Sequence, residues 1–186
     1  MARTPSNMLA LGTKAAPFEL LNVVTGKKDS LSQLQSDKAT VVMFICNHCP
    51  FVKHVLDGII SLANDYIPKG ISFIAINSND VEQYPDDSPE NMKKLAEEKA
   101  FPFPYLFDET QEVAKAYEAA CTPDFYIFDG KLELVYRGQM DDSRPGNDVP
   151  VTGGDIRAAL DALLAGQPVS DKQKPSLGCN IKWKEA

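Results

Sequence analysis

The chain has 186 residues, 44% hydrophobic and 24% charged, a balance that suits one compact domain with a substantial buried core. Its formal net charge is -7 and no run of Lys or Arg breaks the acidic balance, so a phosphate backbone is repelled and nucleic acid is excluded as a partner. The first residues, Met1 to Asn7, are followed by no apolar stretch long enough for a signal peptide or a membrane span, which points to a cytoplasmic protein without a membrane partner.

In chain order, an amino-terminal extension containing Phe18 to Val24 precedes the first strong signal, the continuous apolar and β-branched run Ala39 to Ile45. Such a run predicts a strand buried on both faces. Beyond Pro50, the apolar positions Val52, Val55, Leu56, Ile59, Ile60 and Leu62 recur at helical spacing, and Lys69-Gly70 closes that helix. Ile71 to Ile76 supplies a second strand, parallel to the first through a right-handed crossover. The polar segment Asp80 to Pro89 reads as a loop, with Ser88-Pro89-Glu90 opening a helix to about Lys99.

Two prolines confine pairing in Phe101 to Phe107 to its last residues, before a short helix from Thr110 to Tyr117. Asp124 to Phe128 and Leu132 to Arg137 flank Asp129-Gly130 and predict an antiparallel hairpin. A last helix spans about Gly154 to Ala165. The expected fold class is α/β, a mixed central sheet flanked by helices. One domain, 1–186, is expected, with its core at roughly 15–166 and a tail, 167–186, in which Leu177, Ile181 and the only tryptophan imply docking on the domain.

Four cysteines, unevenly placed, are too few for a secreted disulfide scaffold, and a reducing compartment lets only working disulfides form. Cys46-Asn47-His48-Cys49-Pro50 falls where the buried strand gives way to the helix. Two thiols at i and i+3 in a first helical turn share one face and come within bonding distance. The unpaired N–H groups and the positive end of the dipole stabilise a thiolate there, and the thiolate is the nucleophile. His48, when protonated, lowers the pKa of Cys46 further, and Pro50 fixes the start of the helix because a missing N–H costs nothing there. Half of a zinc site has the same spacing, but Cys121 and Cys179 lack the paired spacing a second half needs, so neither a metal nor another cofactor is expected.

These residues resemble the thioredoxin-like superfamily, and within it the peroxiredoxin-like branch of alkyl hydroperoxide reductases and thiol-specific antioxidant proteins. The resemblance rests on the strand–Cys46-Asn47-His48-Cys49–helix junction, on Cys121-Thr122-Pro123 before the strand Asp124 to Phe128, and on Ala16-Pro17-Phe18-Glu19-Leu20. It implies a thioredoxin-like fold and a cis peptide bond at Thr122-Pro123, packed on the active cysteines and offering backbone to substrate. The peroxiredoxin pattern makes Cys49 the attacking thiol, and the thioredoxin pattern makes it Cys46. Against the peroxiredoxin pattern, its threonine is replaced by Cys46 and no arginine is evident near Thr122-Pro123; against thioredoxin, the Trp-Cys-Gly-Pro-Cys segment and a carboxylate on the strand before Cys46 are both absent.

The expected function is thiol-disulfide oxidoreduction by Cys46 and Cys49, on a protein or small-molecule disulfide, with a thiol as electron donor. Peroxide reduction through Cys49, an antioxidant activity, is the alternative within enzymes, and a redox-sensing or metal-binding protein without turnover is the alternative outside them. Cys121 and Cys179 are further candidate thiols, Cys179 as a partner that resolves an oxidised Cys49. Arg137, Asp141 and Asp142 are candidates for contacts around the site, and His54 lies one turn into the helix.

Overall fold

The computed structural model describes residues 3–185. Its elements are β1 (Arg3–Pro5), β2 (Glu19–Asn22), β3 (Lys28–Ser30), α1 (Leu31–Leu34), β4 (Ala39–Phe44), α2 (Pro50–Tyr66), β5 (Ser72–Asn77) and α3 (Pro89–Glu98). They continue with β6 (Tyr105–Phe107), α4 (Glu112–Ala116), β7 (Cys121–Thr122), β8 (Asp124–Asp129), β9 (Leu134–Gly138), α5 (Gly154–Leu164) and β10 (Leu177–Asn180). A seven-stranded sheet runs β3-β2-β6-β5-β4-β8-β9, and a three-stranded sheet runs β1-β10-β7. The large sheet is mixed: β4 is parallel to β5 and antiparallel to β8, as expected of a crossover half followed by a hairpin.

All six residues of β4 are buried, and their alternation divides the core. Val41, Met43 and Ile45 join the layer of α2, α3 and α5, while Val42 and Phe44 join that of Tyr117 and Phe18. Along α2, Val52, Val55, Leu56, Ile59, Leu62, Ala63 and Tyr66 are buried. Full burial of a side chain of this size contributes about 1.5–3 kcal/mol, which anchors the helix start firmly.

The elements differ from the expected ones mainly at their ends. The loop after β5 contains a 3-10 turn at Pro85–Asp87 before Ser88 caps α3 by accepting from the Asn91 N–H at 3.3 Å. In the hairpin, Asp129 accepts from the N–H groups of Lys131 and Glu133 at 2.9 and 3.0 Å, so the turn is wider than expected and β9 starts at Leu134. Polar side-chain bonding of this kind competes with the strand ladder.

β10 lies between β1 and β7, antiparallel to both, with Cys179 opposite Arg3 on one side and Thr122 on the other. Gly178 makes the approach possible, because a Cβ there would lie 2.0 Å from the Thr122 carbonyl oxygen. Among the described residues no helix is long and apolar enough to cross a membrane.

Candidate active site

The register of β4 sets the position of the cysteines. Phe44 is opposite Ile76 on β5 and Asp124 on β8, so the chain leaving β4 passes between the ends of those strands. Cys46 and Cys49 follow in that gap, 1% and 0% exposed, and no disulfide links any of the four cysteines. Pro50 is the first residue of α2 and Cys49 is its N-cap, with extended backbone (φ -72°, ψ 126°). The dipole and unpaired N–H groups of a seventeen-residue helix therefore act on Cys49 rather than on Cys46.

Thr122 touches both sulfurs. Its hydroxyl lies 3.3 Å from Cys46 Sγ, and its carbonyl oxygen 3.4 Å from Cys49 Sγ. The Thr122-Pro123 peptide bond is cis. Cys49 is held down to about 5, first by a hydrogen bond from Cys46, then by one from Cys179 and by the backbone N–H groups of Val52 and Cys179, against the opposing effect of burial. The Thr122 carbonyl favours the thiol form, but the donors outnumber it. Cys46 moves the other way, pushed up by burial, by giving its proton to the bond with Cys49, and by the nearby carboxylate of Asp87. The two sulfurs thus shift in opposite directions, Cys49 down and Cys46 up.

Asp87, fully buried, lies beneath this pair. Its Oδ1 accepts from the Asn47 N–H at 2.6 Å and from Asn77 Nδ2 at 3.1 Å. Its Oδ2 accepts from Asn79 Nδ2 at 3.1 Å and from His48 Nδ1. Burial alone would raise Asp87, yet the bonds from His48, Asn47 and Asn79 hold it below the usual carboxylate range. The bond to Asp87 in turn raises His48, outweighing its partial burial. The His48 ring stacks on Tyr84 with centroids 5.4 Å apart, and the Lys182 ammonium lies 5.6 Å from the same Tyr84 ring. Tyr105 completes the network by donating to Asn47 Oδ1 at 2.9 Å.

Cys46 Sγ, a His48 ring nitrogen and an Asp87 oxygen lie within 4.8 Å of one another, a donor set that suits zinc. All four acceptor positions of the Asp87 carboxylate already hold a hydrogen bond, so an ion would have to displace donors that fix the Cys46–Pro50 segment. The arrangement fits thiol chemistry better.

The remaining candidates separate. Cys179 reaches Cys49 from β10. Cys121 is buried, donates to the Pro123 carbonyl at 3.7 Å and is pushed up by burial. His54 is bonded to the Ser143 hydroxyl at 2.7 Å, away from the sulfurs. Arg137 donates to the Leu9 carbonyl and to Gln173, Asp141 accepts from three N–H groups of its own loop, and Asp142 pairs with Lys174 at the surface. These three organise the polypeptide beside the site. Two features escape the sequence reading. Asp87 supplies the carboxylate missing from β4, and Arg144 does lie near Pro123, in a small cavity that also includes Phe51 and Met140. Its guanidinium is bound to Gln139 Oε1 and to the carbonyls of Asp141 and Ser143.

With this geometry in view, the match of residues 11–137 to the model of the AhpC/TSA family decides the relationship. The chain belongs to the AhpC/TSA family. That membership places it among redox proteins that work through thiols, with a thioredoxin-like fold. An uncharacterized conserved protein from Geobacillus kaustophilus is 69% identical over 100% of this chain and 98% of its own, with a TM-score of 0.99. More distant solved structures share the fold alone. The peroxidoxin BcpB of Mycobacterium tuberculosis is 19% identical, covering 84% of this chain and 96% of its own at a TM-score of 0.62. A thiol:disulfide interchange protein of the thioredoxin family from Chlorobium tepidum is 18% identical, covering 84% and 99% at a TM-score of 0.63. No curated protein matches the chain.

Proposed function

We propose that the protein is a thiol-disulfide oxidoreductase in which Cys49 is the attacking thiolate and Cys46 the resolving thiol. The observation that carries this reading is the position of Cys49 at the N-cap of the seventeen-residue α2, with Cys46 and Thr122 against it, where the helix dipole and donated hydrogen bonds lower its thiol while burial and Asp87 push Cys46 up. In the forward step the Cys49 thiolate attacks one sulfur of a substrate disulfide and expels the other half as a thiolate. Cys46 then loses its proton to that leaving group, attacks Cys49 and expels the second half. A thiol donor returns the Cys46–Cys49 disulfide to the dithiol.

A second reading, peroxide reduction through Cys49, is favoured by the placement of the thiolate directly before Pro50, where the peroxiredoxin pattern has its peroxidatic cysteine. One experiment tests both: turnover of a small disulfide and of a hydroperoxide, each with excess dithiothreitol, for the wild type, C46S and C49S. The expected result is turnover of the disulfide that falls to background in C49S and slows in C46S, where the Cys49 mixed disulfide has lost Cys46 as its resolving thiol. Turnover unchanged in C49S overturns both readings, and consumption of hydroperoxide alone selects the second.

A further inference from the structure

Cys49 faces two thiols, and the second of them comes from the carboxyl-terminal strand. β10 pairs with β7 so that Cys179 is opposite Thr122, the residue whose carbonyl lies 3.4 Å from Cys49 Sγ. Cys179 is 1% exposed, bonds to the Cys49 sulfur through its own sulfur, and also directs its backbone N–H toward Cys49. An extended segment that pairs with the Thr122 edge and presents a cysteine to Cys49 has the geometry of a bound polypeptide disulfide substrate, but it belongs to the same chain. The contact is built in: Ser176 donates to the Pro123 carbonyl, Ser6 donates to the buried Asp124 at 2.8 Å, and the Lys182 N–H reaches Asn79 at 2.9 Å.

We propose that Cys179 is a third redox thiol, an alternative resolving partner that closes a Cys49–Cys179 disulfide. The proposal rests on the reading of Cys49 as the attacking thiolate. After Cys49 has attacked a small disulfide, it carries one half of that molecule and has lost its negative charge. Cys179 is pushed up to about 12 by burial, by its bond to Cys49 and by the Cys49 charge, and the last of these disappears in the mixed disulfide. The thiolate released in the first step takes the Cys179 proton. The Cys179 sulfur then bonds to Cys49, and the second half of the substrate leaves as a thiolate. Two cysteines are oxidised and one small disulfide is reduced to two thiols, so atoms and electrons balance. Because β10 already occupies the Thr122 edge, strand pairing of a foreign polypeptide there is blocked, and the substrate class is a low-molecular-weight disulfide.

The full-length C46S variant, reduced and then treated with 2-hydroxyethyl disulfide, tests the assignment. The expected outcome is release of both halves of the reagent as 2-mercaptoethanol, and a tryptic cross-link joining the peptide that ends at Lys53 to the one that ends at Lys182. A persistent mixed disulfide on Cys49 with Cys179 alkylatable, a link through Cys121, or no reaction at Cys49 overturns it. C46A serves as a second background should the serine perturb folding. C179S, treated in parallel, isolates the earlier reading: a Cys46–Cys49 disulfide there with no cross-link in C46S removes only the third thiol. A cross-link in C46S with no disulfide in C179S removes only the Cys46–Cys49 cycle.

Discussion

Asp87 lies 39 residues beyond His48 in the sequence, yet its carboxylate receives four donors that converge from Asn47, His48, Asn77 and Asn79. It raises Cys46 through its charge and His48 through its hydrogen bond, so it acts on two residues of the motif at once. In D87N the His48 titration, followed by NMR, should move down toward the ordinary imidazole value, and the fold should lose roughly 1–3 kcal/mol in urea unfolding because buried donors lose a charged acceptor. An unmoved His48 titration would separate His48 from Asp87. At Cys49, a pKa near 5 makes the iodoacetamide rate constant flat between about pH 6 and 8, whereas an ordinary thiol gains roughly tenfold per unit below about 8.5. The motif Cys46 to Pro50 is legible because strand, cysteine spacing and proline are contiguous. Asp87 is not, since Asp80 of the same loop is buried as well, and only the folded loop turns the Asp87 carboxylate toward Asn47, His48, Asn77 and Asn79.

Elements carry the next level of control. The strand–helix junction is legible in Ala39 to Leu62, because an unbroken apolar run and a helical repeat leave little choice of structure. The short strands β1, β7 and β10 have no such signal: two to four residues cannot show alternation, and their partners come from both chain ends. The close backbone approach at Gly178 is what lets β10 pair with β7. Replacing it with alanine puts a Cβ 2.0 Å from the Thr122 oxygen and 2.6 Å from the Thr122 carbonyl carbon, both backbone atoms that cannot turn aside. G178A should therefore lower stability by about 1–3 kcal/mol and lift β10 from β7. Faster alkylation of Cys179 in the folded variant than in the wild type would report that displacement, and equal rates would contradict it.

At the scale of the molecule, protonation, redox state and stability are linked through Cys49. The central strand brings its end between β5 and β8, and this placement, together with the helix cap and the sulfurs of Cys46 and Cys179, lowers the Cys49 thiol in the folded dithiol. Its folded pKa lies below its unfolded value, so its ionisation stabilises the reduced fold fully above about pH 8.5 and progressively less as pH falls toward 5. The unfolding free energy of reduced wild type minus that of C49S should therefore shrink between those limits. The same asymmetry sets the pH dependence of the redox couple. Reduction of a Cys46–Cys49 disulfide adds two electrons, but above pH 5 only Cys46 takes up a proton, so the potential should fall by about 30 mV per pH unit between pH 6 and 8. Two ordinary thiols would both be protonated there and give about 60 mV per unit. Equilibration with dithiothreitol across that range, read by the fraction of protein alkylated, distinguishes the two slopes, and the steeper one would place the first proton on Cys49 and remove its role as resting thiolate.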